Sequence, residues 1–175
     1  MRIEYSRAQQ SYSHFDLYSL ATKGKTTLMD VIALRKNTGS VTGEIRINGF
    51  LQEPGAFRRC SGYVEQFDVQ SPQLTVRETV LFSARMRLDP KKVKTDEDKQ
   101  KFCHQVLRTL ELTTLADSLV GSEEEGGLTF EQKKRLSIAV ELAASPSIIF
   151  LDEVSVVATC YCESIQSSLY SFFCT

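Results

Sequence analysis

The sequence predicts an α/β fold, and three observations carry that reading. A glycine-bearing stretch, Gly24-Lys25-Thr26-Thr27, opens directly onto a helical pattern. Far downstream, Ser147-Ile148-Ile149-Phe150-Leu151 is a continuous apolar run that ends in Asp152-Glu153. An apolar run of that length, bounded by turn residues and lacking alternation, is the pattern of a strand buried in a parallel sheet. Between the two lie a small β unit and a longer helix-rich stretch, giving the order strand, helix, β unit, helical insert, strand.

Taken in order, residues 1–14 are polar and without period and are expected to be poorly ordered. Phe15-Asp16-Leu17-Tyr18 reads as a short strand feeding the loop. From Thr26 to Lys36 the pattern is helical, with Leu28, Val31 and Ile32 on one face, Arg35 and Lys36 in the last turn, and Gly39 just beyond. Gly43 to Gly49 alternates apolar and polar and then meets Asn48-Gly49, a strong hairpin signal. Ser61 to Gln66 reads as a short strand running into a loop.

Thr75-Val76-Arg77-Glu78 is a capping box opening a helix with Val80, Leu81, Ala84 and Leu88 inward. Asp89 to Lys94 is a charged, solvated connector. Thr95 to Leu112 is helical, with Cys103, Val106, Leu107 and Leu110 at helix spacing; Cys103 is read as a packing residue and His104 as a surface one. Gly121 to Gly127 is an acidic loop leading into a helix with Leu136, Ala139, Val140 and Ala143 inward, which Ser145-Pro146 stops.

Composition narrows the function classes. The 175 residues are 25% charged and 42% apolar with a net charge of −1, the balance of a soluble globular domain. Near-neutral charge gives no bulk attraction to nucleic acid or an anionic membrane, and no nucleic-acid partner is expected. No apolar run approaches the roughly 20 residues of a spanning helix, and the first residues lack the apolar core of a signal peptide. Five cysteines without a C-x-x-C spacing and two histidines make neither a zinc site nor a disulfide framework.

Chemistry concentrates at the two ends of the predicted sheet. Gly24-Lys25-Thr26 is the working end of a phosphate-binding loop, G-x-x-x-x-G-K-[ST], although Ser19 stands where the first glycine belongs. In such a loop Lys25 reaches the β- and γ-phosphates, Thr26 ligates magnesium, and the helix points its positive N-terminus at the phosphates. Asp152 would hold the magnesium water shell and Glu153 activate the attacking water. On these two stretches alone, a nucleotide site and a core strand with two capping acids fit equally.

The text between them separates the two. Gly24 to Ala33, Gly43-Glu44-Ile45, Asn48-Gly49, Ser61 to Asp68, Ser71-Pro72-Gln73, Thr75 to Glu78, Glu131 to Leu142 and Pro146 to Glu153 follow one another in a fixed order. In that order they resemble the nucleotide-binding domain of ABC transporters, specifically the pleiotropic-drug-resistance (white/brown-like) subfamily and the second cassette of its full-size members. P-loop kinases and GTPases place no such text between the two halves of the phosphate site. The resemblance covers about residues 24–153.

It implies a P-loop NTPase-like cassette over residues 15–153 with a helical insert at about 72–144 and a divergent tail at 154–175. By the same resemblance Gly24, Lys25, Thr26 and Thr27 bind ATP, Gln66 is the Q-loop glutamine, and Thr26, Gln66 and Asp152 hold Mg2+. Glu153 is the catalytic base. Leu128-Thr129-Phe130-Glu131-Gln132 stands at the signature, so Thr129 and Gln132 face the nucleotide of a second cassette in a head-to-tail pair. A transmembrane domain is the other implied partner, which sets the cassette at the cytoplasmic face of a membrane. The implied function is an ATP-binding, ATP-hydrolysing cassette of an exporter; the alternative is a remnant that binds or pairs without hydrolysis.

Departures favour that alternative for the chain alone. Ser19, Thr22 and Lys23 replace Gly, Gly and Ala of the family loop. After Glu153 the family continues Pro-Thr-Ser-Gly-Leu-Asp, whereas this chain reads Val154-Ser155-Val156-Val157, and both His14 and His104 precede Glu153. The D-loop aspartate, the switch histidine and the strand that would pair beside Ile148–Leu151 are therefore absent from the sequence. The expectation is a truncated cassette with an incomplete core sheet, running at both ends into unrelated sequence.

Overall fold

A computed structural model of the chain describes residues 24–65, 70–90, 93–121 and 126–152. Residues 1–14, the strand expected at Phe15–Tyr18, Ser19, Thr22, Lys23, Gln66, Glu153 and the tail at 154–175 lie outside the described residues.

The first helix, α1 (Lys25–Ile32), begins behind Gly24, whose φ of +103° only glycine adopts without strain. It is shorter than its sequence pattern. Ala33 already caps it and Leu34 turns left-handed at φ +58°, so Arg35 and Lys36 fall beyond the last turn. The hairpin appears where Asn48-Gly49 places it: β1 (Arg46–Ile47) pairs antiparallel with β2 (Phe50–Leu51). Asn48 and Gly49, at φ +53° and +83°, have the two positive torsions that a tight type I′ connection demands.

A short helix that the sequence pattern does not announce, α2 (Pro54–Cys60), follows with proline in its first turn. It buries Phe57 and runs directly into β3 (Ser61–Val64). Strand β3 pairs in parallel with β4 (Ile148–Leu151), with Ser61 opposite Ile148 and Val64 opposite Leu151. The parallel partner confirms the strand reading of the apolar run, but the full burial expected of β4 is corrected: all its residues are half-buried. Phe150 packs edge-on to Phe57 at 6.2 Å and stacks with Tyr63 at 6.0 Å, whereas Ile149 and Leu151 lean on the helical core. Among the described residues β4 has a strand neighbour on one edge only, β3, which leaves its side chains partly open.

Three helices make that core. Helix α3 (Val76–Arg87) starts at the predicted capping box, with Thr75 accepting from the Glu78 amide and Glu78 accepting from the Thr75 amide. Helix α4 (Asp96–Thr109) is capped by Thr95 and ends three residues before the predicted Leu112, because Glu111 turns to φ +56°. Helix α5 (Phe130–Leu142) is capped by Thr129, and Ser145 at φ +51° stands before Pro146. Val80, Ala84, Phe102, Leu107, Leu110 and Leu136 are fully enclosed among these helices. Cys103 is buried and His104 exposed, as read from the helical spacing. The α5 start is brought close to the loop before it by a backbone contact: a Cβ on Gly127 would lie 2.6 Å from the Val120 carbonyl oxygen.

Candidate functional site

The parallel pairing of β3 with β4 delivers Asp152 to the start of α1. The Asp152 amide donates to the Val64 carbonyl at 3.2 Å, which continues the strand ladder one residue past β4 and fixes the carboxylate. Asp152 is 8% exposed, and its Oδ1 accepts a hydrogen bond from Thr26 Oγ1 at 3.1 Å. These residues are 126 positions apart in the chain. A buried carboxylate held by a hydroxyl from a helix start is the principal long-range contact of the site.

The α1 start itself is unlike the other long helices. Thr75, Thr95 and Thr129 each accept a hydrogen bond from an amide of the helix they precede, but Gly24 offers α1 no side-chain cap. No acidic residue occupies the first turn of α1 either. The first intrahelical bond runs from the Leu28 amide to the Gly24 carbonyl at 2.9 Å, so the amides of Lys25, Thr26 and Thr27 precede the ladder. Unladdered amides at the positive end of a helix dipole favour an anion. Gly24, Thr26 and Thr27 are exposed there.

A second group of side chains braces α1 against β3. Tyr63 Oη donates to Asp30 Oδ1 at 3.0 Å, and the Arg35 guanidinium lies 4.4 Å over the Tyr63 ring while pairing with Glu65. Burial, the hydrogen bond to Asp30 and the negative field of Asp152 push the Tyr63 phenol well above its ordinary range. It therefore stays protonated and remains a donor to Asp30. Sequence pattern gives no sign of this brace, because its members come from two elements with unrelated periodicities.

Thr129 and Gln132 stand at the α5 start, and their hydrogen bonds are reciprocal. The Gln132 amide donates to Thr129 Oγ1 at 3.4 Å, and the Thr129 amide donates to Gln132 Oε1 at 2.9 Å. Both residues thus form a capping box, a pattern legible as Thr-x-x-Gln. Phe130 between them is 60% exposed. One turn on, Lys134 is buried and its Nζ donates to the Glu65 carbonyl at 2.9 Å. At the far end of α5, Glu141 receives both Arg87 nitrogens at 2.8 and 2.7 Å and also the Tyr63 amide at 3.2 Å. Of the sequence-predicted site residues, the structure brings Thr26 and Asp152 together beside Gly24, and sets Thr129 and Gln132 at the start of α5.

An uncapped helix start behind glycine, with its threonine bonded to the acid that closes a parallel strand, defines an α/β phosphate-binding cassette. The comparisons agree. The ABC transporter family profile matches residues 22–156. ABC transporter G family member 36 of Arabidopsis thaliana is 54% identical over 137 residues, covering 78% of this chain and 9% of that protein. G family member 31 of the same plant is 57% identical over 130 residues, 74% of this chain and 9% of the relative. G family member 38 of Oryza sativa subsp. japonica is 53% identical over 137 residues, again 78% and 9%.

A solved structure described as the ATP binding subunit of an ABC transporter superposes with a TM-score of 0.62 at 19% identity, over 85% of this chain and 60% of that one. That likeness bears on the fold. The chain belongs to the ABC transporter family and is similar to plant members of its G branch. Its matched region is the nucleotide-binding cassette, and the chain spans about a tenth of the length of these relatives. Among the described residues no helix is long and apolar enough to cross a membrane.

Proposed function

We propose that the chain binds ATP with Mg2+ at Gly24 to Thr27 and Asp152, as the energy-supplying cassette of an exporter. The observation that carries the reading is the Thr26–Asp152 hydrogen bond beside the uncapped start of α1. Lys25, Thr26 and Thr27 supply amides and, through Lys25, a cation for the phosphates. The donor set suits Mg2+: a hydroxyl and a buried carboxylate are hard oxygen ligands, and magnesium commonly takes one or two carboxylates together with substrate phosphate and water. When bound, the ion would neutralise charge on the terminal phosphates.

In this reading Gln66 completes the oxygen set and Glu153, next after Asp152, accepts the proton of the attacking water. Thr129 and Gln132 face the nucleotide of a second cassette, and a transmembrane domain supplies the transport path at the cytoplasmic face of a membrane. Family membership supports both partners in general form.

Equilibrium binding of a fluorescent ATP analogue tests the site. Asp152→Asn is expected to remove the magnesium-dependent part of the affinity, by about tenfold, as for loss of one charge-assisted contact. Glu153→Gln should abolish phosphate release while leaving that binding in place. Well-folded protein whose nucleotide binding is absent, or indifferent to magnesium, would sink the proposal.

A further inference from the structure

We propose that Lys134 is a positioning residue that couples the α5 start to the phosphate site, with Glu65 as the point they share. What is coupled rests on the functional reading above; the coupling itself rests on the contacts alone. Glu65 follows the last residue of β3 and is held from two directions. Its carbonyl accepts from Lys134 Nζ at 2.9 Å, and its carboxylate pairs with Arg35, just beyond α1. Arg35 also covers the Tyr63 ring at 4.4 Å, and the Tyr63 hydroxyl returns to Asp30 within α1. The β3 end is therefore tied to α1 through Arg35 and Tyr63 and to α5 through Lys134.

Lys134 is placed to carry that tie into the first turn of α5. Its ammonium is 5.8 Å from the Phe130 ring, within reach of a cation–π attraction. Lysine is rarely as enclosed as the 7% exposure here unless its donors are used. Methionine would fill the same space without the desolvation of a charge. What lysine adds is a directed donor, so the site spends its burial on a fixed geometry between two elements. Nucleotide arriving at the α1 start then acts on the α5 start through Asp30, Tyr63, Arg35, the carboxylate and carbonyl of Glu65, Lys134 and Phe130, the residue next to Thr129.

Amide hydrogen exchange on the full chain, with and without magnesium-ATP, decides the proposal. Without nucleotide, Lys134→Met is expected to speed exchange across residues 61–65 by about tenfold, and Lys134→Arg to keep it near the parent rate. With magnesium-ATP, exchange at residues 128–133 should slow in the parent chain and in Lys134→Arg. In Lys134→Met that response should vanish while the fluorescent analogue still binds within about threefold of the parent affinity. Unchanged exchange at 61–65 in Lys134→Met overturns the tie, and a surviving response at 128–133 overturns the coupling. So does a parent chain that binds nucleotide with no response at 128–133. If the parent chain binds no nucleotide, the functional reading fails by itself, and the nucleotide-free comparison still decides the tie.

Discussion

The helical half of the molecule and its phosphate-site half are built on different principles. In the helical half, α3, α4 and α5 enclose Val80, Phe102, Leu110 and Leu136 completely, and each helix is closed by its own threonine cap. In the other half, β4 is half-buried throughout, α1 has no cap, and its contacts are polar and directional: Thr26 to Asp152, Tyr63 to Asp30. Stability is concentrated where the apolar area is removed from water, and chemistry where amides and oxygens are left available. A substitution should therefore read out as loss of fold in one half and as loss of ligand in the other.

The sharpest way to break that division is Phe102→Ala. Truncating a fully buried phenylalanine is expected to lower unfolding free energy by about 3–5 kcal/mol, measured by denaturant titration. Nucleotide affinity of the fraction that remains folded should not change; a matching loss of affinity would show that the halves are not separable. Next in size is restoration of glycine at Ser19 and Thr22. A non-glycine residue forced to positive φ costs roughly 1–2 kcal/mol. Removing both is expected to tighten binding of the fluorescent analogue by about thirty- to a thousandfold, with little change in the unfolding midpoint.

Gly24→Ala asks the same question of a described position. Nothing lies within 4 Å of an added Cβ, so any effect comes from the torsion of +103° and not from a clash. Its expected cost is about 1–2 kcal/mol, a five- to thirtyfold weakening of nucleotide binding. An unaltered affinity would show that this torsion is not needed for the anion.

The smallest expected effect lies on the surface of the helical half. Arg85 bonds Asp96 across α3 and α4 at 2.8 and 2.6 Å and, with Gln100, holds the Asp96 carboxyl down at about 2. Because the folded-state value is depressed, the contribution is present above the ordinary carboxylate range near 3.8 and is lost as pH falls toward 2. Asp96→Asn should slightly flatten the acid limb of a stability–pH curve and leave neutral pH almost unaltered, since both partners are exposed.

Local signals explain which parts were legible in the sequence. Thr75-x-x-Glu78, Asn48-Gly49 and Ser145-Pro146 act within a few residues, and each produced the boundary it announces. The helical pattern overruns α1 because periodicity through Arg35 and Lys36 competes with a left-handed Leu34 that no pattern reveals. Helix α2 escaped because it has only seven residues, although Pro54 marks its first turn. The joining of Thr26 to Asp152 followed from motif logic, whereas the Tyr63–Asp30 and Lys134–Glu65 contacts had no motif to announce them. Thr129 and Gln132, which the resemblance assigns to nucleotide, also cap α5 for each other, as their Thr-x-x-Gln spacing allows.

That capping box has a thermodynamic consequence. The Thr129 hydroxyl oxygen accepts from the Gln132 amide, which occupies a lone pair and does not spend the O–H hydrogen. An anion that takes that hydrogen replaces water and leaves the cap in place, so the net gain is the modest difference of about 0.5–1.5 kcal/mol and not the gross strength of the new bond. Departure is correspondingly cheap, since water takes the place of the anion while the helix start stays capped. The α5 start thus keeps its shape with or without an anion, a contact suited to being made and released repeatedly.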